Sequence, residues 1–152
     1  MNDVLETIVR MLRDGAARDE SLAVLKPPRR FMPGQPTLLP AGRAWRLGVL
    51  LLDADGNLYA TGHVTRAIEP KDFNSDKTVA GEQRRDEQRA AARGPFERGD
   101  VVNYGFERLS LTSPAHPLVG DGDGLFVESQ FGRTPLEKYL TDHASLLLEL
   151  NS

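Results

Sequence analysis

The sequence predicts an α+β fold, an antiparallel sheet with helices near the beginning, middle and end of the chain. Three observations carry this. Apolar residues recur at helical spacing in "VLETIVRML" and in "LEKYLTDHASLLLEL", and runs between them alternate at the strand period. An Asp-Gly dipeptide in "LLDADGNLYATG" stands where one such run doubles back. With 152 residues, 39% hydrophobic and 27% charged, the chain has the length and composition of one globular domain over 1–152.

The first helix is predicted over residues 3–14, where Val4, Leu5, Ile8, Val9, Met11 and Leu12 share a side and Gly15 can end the turn. Charges interrupt the apolar spacing, so this start reads as neither a signal peptide nor a membrane span. A short second helix is expected over Ser21 to Leu25. The following "KPPRRFMPGQPTLLPAG" holds five of the ten prolines, whose fixed φ and missing amide protons oppose helix and central strand alike. Residues 26–43 are therefore read as an extended arm.

Charge is uneven along the chain. The net value is −3, yet residues 21–52 contain no acid and five cations: Lys26, Arg29, Arg30, Arg43 and Arg46. The arm thus becomes a candidate contact for an acidic protein partner, with Arg29, Arg30, Phe31 and Met32 as the partner-binding residues. The last third of the chain is acidic, which argues against nucleic acid as that partner. The absence of cysteine excludes disulfides, thiolate metal sites and cysteine nucleophiles, and fits a cytoplasmic protein.

The Asp-Gly stretch has two readings, a calcium loop and a hairpin. Asp53, Asp55 and Asn57 fit the first three ligand positions of a calcium loop, but Leu58 stands where its glycine belongs and Val64 where its glutamate belongs. The hairpin reading wins, with Asp55 and Gly56 at the centre of a type I′ turn. Counting outward pairs Leu52 with Tyr59, Leu50 with Thr61, Gly48 with His63 and Arg46 with Thr65. Trp45, Leu47, Val49 and Leu51 then face the core with Ala60, Gly62 and Val64. Gly48 and Gly62 leave room beside Arg46, Tyr59, Thr61, His63 and Thr65, a candidate ligand-binding pocket for an anion. There His63 would serve as acid or base, Arg46 would orient a carboxylate or phosphate, and Tyr59 would donate a hydrogen bond.

A middle helix is expected over residues 76–94, with a thin stripe of Val79, Ala80, Ala90, Ala91 and Ala92 and with Glu82–Arg85 and Asp86–Arg89 as i, i+3 pairs. In the next strand Val102, Tyr104 and Phe106 alternate with Asn103, Gly105 and Glu107. "GDGDG" lacks the Gly-Lys-Ser/Thr ending of a phosphate loop, and Asp121 and Asp123 would repel a phosphate. Thr134, Pro135 and Glu137 form a capping box for a last helix running through about Leu150. Its stripe holds Leu136, Tyr139, Leu140, His143, Ala144, Leu147 and Leu150, widened by Leu146 and by Leu148, which points away from much of it. Such excess apolar surface on a terminal helix marks self-association.

His63, His116 and His143 lack metal-ligand spacing, and no nucleophile elbow, dinucleotide fingerprint or Walker lysine occurs. No catalytic residue, metal or cofactor is assigned. The expected function is a non-enzymatic interaction or scaffold domain that forms a homodimer; the alternative is an anionic-ligand binder or acid/base enzyme centred on His63.

Overall fold

The computed structural model describes residues 2–26, 36–68 and 78–150. In chain order the elements are α1 (Asn2–Asp14), β1 (Glu20–Lys26), β2 (Thr37–Leu47), β3 (Leu50–Asp53), β4 (Leu58–Ala60), β5 (His63–Arg66) and α2 (Val79–Ala92). These are followed by β6 (Val101–Tyr104), β7 (Glu107–Arg108), β8 (Leu118–Asp121), β9 (Gly124–Ser129), β10 (Gly132–Pro135) and α3 (Leu136–Leu150). The fold is α+β, as the sequence predicts, with more and shorter strands than its alternation suggests. Among the described residues no helix is long and apolar enough to cross a membrane.

The chain packs as two compact units. The first comprises Met1–Asp19, Arg43–Thr61 and Phe106–Ser152; the second comprises Glu20–Gly42 and Gly62–Gly105.

In the first unit, α1 presents Leu5, Ile8, Val9 and Leu12 to a core shared with Leu136, Tyr139, Leu140 and Ala144 of α3. The strands supply Trp45, Leu47, Leu50, Leu52 and Leu58 from one sheet and Leu118 and Val127 from the β8–β9–β10 meander. Leu47 pairs with Leu50, so the run predicted as one strand is folded back at Gly48-Val49. Gly48 has φ 64, which suits the first central position of a type II′ turn. A Cβ there would run into the Tyr139 hydroxyl, which accepts the Val49 amide at 2.8 Å.

The next hairpin corrects the predicted register by one residue. Leu52 pairs with Leu58, Leu51 with Tyr59 and Leu50 with Ala60. The Gly56 amide donates to Asp53 O at 3.1 Å and the Asp53 amide to Asn57 O at 3.0 Å, while Gly56 has φ 86. This is a three-residue loop, a type I turn followed by a left-handed glycine. Because the chain folds back at Gly48-Val49, Leu50 and Leu52 share the face of Leu47 and Trp45 and enter the core where Val49 and Leu51 were expected; the shifted register sets Leu58 and Ala60 beside them. Leu51, on the opposite face, is buried as well.

In the second unit, β5 pairs antiparallel with β6, and β6 runs parallel to β1 with Ser21 opposite Val102 and Leu22 opposite Asn103. The expected helix over Ser21–Leu25 is thus a strand: its short apolar run fits either period, and pairing with a segment distant in sequence decides it. The predicted arm is strand from Thr37 onward, and Leu38 is buried there. Arg29, Arg30, Phe31 and Met32 lie outside the described residues.

The second core is small: Ala23, Leu38, Ala67, Ala90, Ala91 and Val102, with Phe96 and Tyr104 packed against it. Helix α2 starts at the N-cap Thr78, whose hydroxyl accepts the Gly81 amide at 3.0 Å. It makes both predicted pairs, Arg85–Glu82 at 2.6 Å and Arg89–Asp86 at 3.1 Å. Its buried face differs from the expected stripe: Val79 is 86% exposed, while Gly81 and Arg85 are buried with Ala90 and Ala91. Asn103 is fully buried and donates to Glu20 Oε1 at 3.0 Å and Ser21 O at 3.2 Å.

One further correction concerns the first unit: Thr134 pairs with Val127 as part of β10, so α3 begins at Leu136 without the predicted cap. Asp121 pairs with Gly124, so "GDGDG" forms a hairpin turn. Leu148 is half-buried against the core beside Gly15, whereas Leu146 and Leu150 are exposed.

Candidate ligand-binding groove

The β3–β4 turn is built around one carboxylate. Asp53 Oδ1 accepts the amides of Asp55 at 3.0 Å and Asn57 at 2.9 Å, and Oδ2 accepts Asn57 Nδ2 at 3.1 Å and the Tyr59 hydroxyl at 2.8 Å. Local bonds of this kind are why aspartate favours turns, and here they select the longer loop over the two-residue one. Burial, followed by the bond to Asp53, pushes the Tyr59 phenol above its ordinary 10.0. Phe106 meets the Tyr59 ring edge-on at 5.4 Å.

Arg108, opposite Tyr59 on β7, donates from Nη2 to Asn57 Oδ1 at 2.7 Å. A relay therefore runs from Asp53 through Asn57 to the guanidinium and fixes its position. On the α1 side, Arg13 Nη2 donates to Ala54 O at 3.3 Å.

Two cavities open on this turn. The larger, about 560 Å³, is lined by Asn2, Leu5, Gly56, Asn57, Leu58, Arg108, Leu109, Ser110 and Leu111. The smaller, about 230 Å³, is lined by Glu6, Val9, Arg10, Arg13, Ala54, Asp55 and Gly56. Among the described residues the larger has an apolar floor and a polar rim with Arg108 as its one ionisable side chain, the composition of a small-molecule site. The smaller mixes acids with arginines.

The predicted pocket residues divide between the units. Arg46, opposite Leu51 on β2, Tyr59 and Thr61 belong to the first; His63 and Thr65 belong to the second. The ladder expected to align them is absent, since β2 pairs with β3 and His63 pairs with Tyr104. His63 is exposed and stacks on Tyr104, with centroids 5.0 Å apart. Thr65 is buried. Tyr104 titrates well above its usual range through burial and then a bond to Glu87. The His143 ring lies tilted against Tyr139 with centroids 4.1 Å apart, and burial lowers its pKa below the ordinary 6.5 despite the opposing charge of Asp142.

Among the described residues no three Asp, Glu or His side chains gather as a metal site. The sequence reading missed Arg108 and its neighbours. Their signal was the alternation in "FERLSL", which continues the strand pattern and sets Leu109 and Leu111 against Arg108 and Ser110. Set against known proteins, the chain matches no family model, no curated protein and no solved structure.

Proposed function

We propose that this protein is a non-enzymatic interaction domain that self-associates through the last turns of α3. The observation that supports this most is the pair Leu146 and Leu150, 53% and 82% exposed, on a helix that buries Leu136, Tyr139, Leu140 and Ala144. Residues four apart lie on one side of a helix. A two-fold dimer needs one self-complementary patch, and such an exposed leucine pair suits a second copy of itself. The aromatic and imidazole groups with displaced pKa values support a structural role, because burial favours the neutral form in each.

In this reading the basic arm, with Arg29, Arg30, Phe31 and Met32, takes an acidic protein partner rather than nucleic acid, and the protein works in the cytoplasm. The test is light scattering after size exclusion at micromolar concentration. The wild type should run at twice the 16.8 kDa chain mass, and Leu146→Asp/Leu150→Asp should run as a monomer with an unchanged circular dichroism spectrum. A wild type that is monomeric throughout would overturn the self-association.

A further inference from the structure

We infer that the groove beside the β3–β4 turn binds a small molecule with an apolar body and a single carboxylate, and that Arg108 recognises the carboxylate. The inference is independent of α3 and rests on four features of one site. The volume of about 560 Å³ lies in the range, about 300–1,000 Å³, that small-molecule sites occupy. Its floor is aliphatic, formed by Leu5, Leu58 and Leu109, which are buried, and by the half-buried Leu111.

Among the described residues that line the larger cavity none is acidic, and Arg108 is the only one with an ionisable side chain. Among the described residues Arg108 makes no ion pair; its one bond is Nη2 to the neutral amide oxygen of Asn57. A guanidinium has five N–H donors arranged to meet a carboxylate with two parallel bonds, so most of its capacity is open to a ligand.

Finally, the cation is held in place. Asn57 is fixed by Asp53 at 3.1 Å before it binds Arg108 at 2.7 Å, so little ordering of the guanidinium remains to oppose binding. An apolar body alone would leave the arginine at the rim unused, and a small inorganic anion would leave the leucine floor wet. A medium-chain monocarboxylate satisfies both.

Sodium octanoate is the probe, titrated into uniformly ¹⁵N-labelled protein and followed by the amide shifts of Gly56, Asn57 and Ser110. Saturable shifts are expected at these amides. Octanamide, with the same body and no charge, should bind about tenfold more weakly, as should octanoate to Arg108→Gln, because a charge-assisted pair is worth a further 1.4 kcal/mol or so. Ser110→Trp, which fills the groove from its exposed rim, should remove the response to both compounds while the rest of the spectrum stays that of the folded protein. Equal affinity for octanoate and octanamide, or an Arg108→Gln affinity equal to wild type, would overturn the role of Arg108. No shift at these amides, or a response that survives Ser110→Trp, would overturn the site.

Discussion

The two units of this chain solve the same problem with different materials. Among the described residues the first is held by a core of sixteen buried residues, nearly all of them leucine, isoleucine, valine or aromatic; the second has a core of six, four of which are alanine. Since burial stabilises by about 25 cal/mol per Å² of apolar surface, the first unit has much the larger hydrophobic term per residue ordered. The second compensates with polar contacts across its strands: Asn103 to Glu20 and Ser21, and the Ser21 hydroxyl to Asp100 Oδ2 at 2.6 Å. Hydrogen bonds contribute only about 1 kcal/mol net each, so these fix strand pairing more than they add stability. The candidate groove and α3 both belong to the thick-cored unit, where positions are held most firmly.

The comparison breaks most visibly through core truncations. Leu140 and Leu38 are each fully buried, one in each core. Leu140→Ala leaves a hole among large side chains and should cost about 4 kcal/mol, whereas Leu38→Ala sits among alanines and should cost about 2 kcal/mol. Urea unfolding gives both values, and the reverse ranking would sink the contrast.

Polar deletions should rank the other way. Asn103→Leu removes the donor to Glu20 and Ser21 O inside the second unit and should cost about 2 kcal/mol. Tyr139→Phe loses the bond from the Val49 amide in the first and should cost about 1 kcal/mol, because the aromatic body stays in place.

A smaller effect sharpens the picture at acid pH. Burial lowers the His143 pKa, so the unfolded chain takes up this proton first, at about its ordinary 6.5. The stability contribution is therefore complete above 6.5 and is lost as pH falls through the lower folded value. His143→Gln should flatten that part of the stability-pH curve; an unchanged slope would show that the imidazole does not carry it.

How much of this was legible in the sequence depended on the range of the interaction that decided each element. Helices α1 and α3 could be read from their spacing, since 3.6-residue periodicity is local; α2 could be placed, but its buried face, with Gly81 and Arg85 in place of Val79, could not. The parallel β1–β6 pair could not, because Ser21 and Leu22 meet partners at Val102 and Asn103, and "SLAVL" fits helix and strand equally. The turn at Asp55-Gly56 was readable but its length was not: Asp53 binding the amides two and four residues onward turned a two-residue loop into three and shifted every pair. Leu148 lies off the helical stripe of α3, yet the end of α1 at Gly15 covers it. The groove was hidden for the same reason. Leu5 and Arg108 each look ordinary alone, and only the fold places them around one cavity.

The contrast between the units is tested most directly by native-state hydrogen exchange under increasing urea, resolved by residue. Amides of β3 and of Tyr139–Ala144 in α3 should exchange only through global unfolding, with its full dependence on denaturant. Amides of α2 and β5 should exchange through a smaller opening that depends less on denaturant. Protection in α2 equal to that in α3, or exchange of α3 before α2, would contradict the assignment of stability to the first unit.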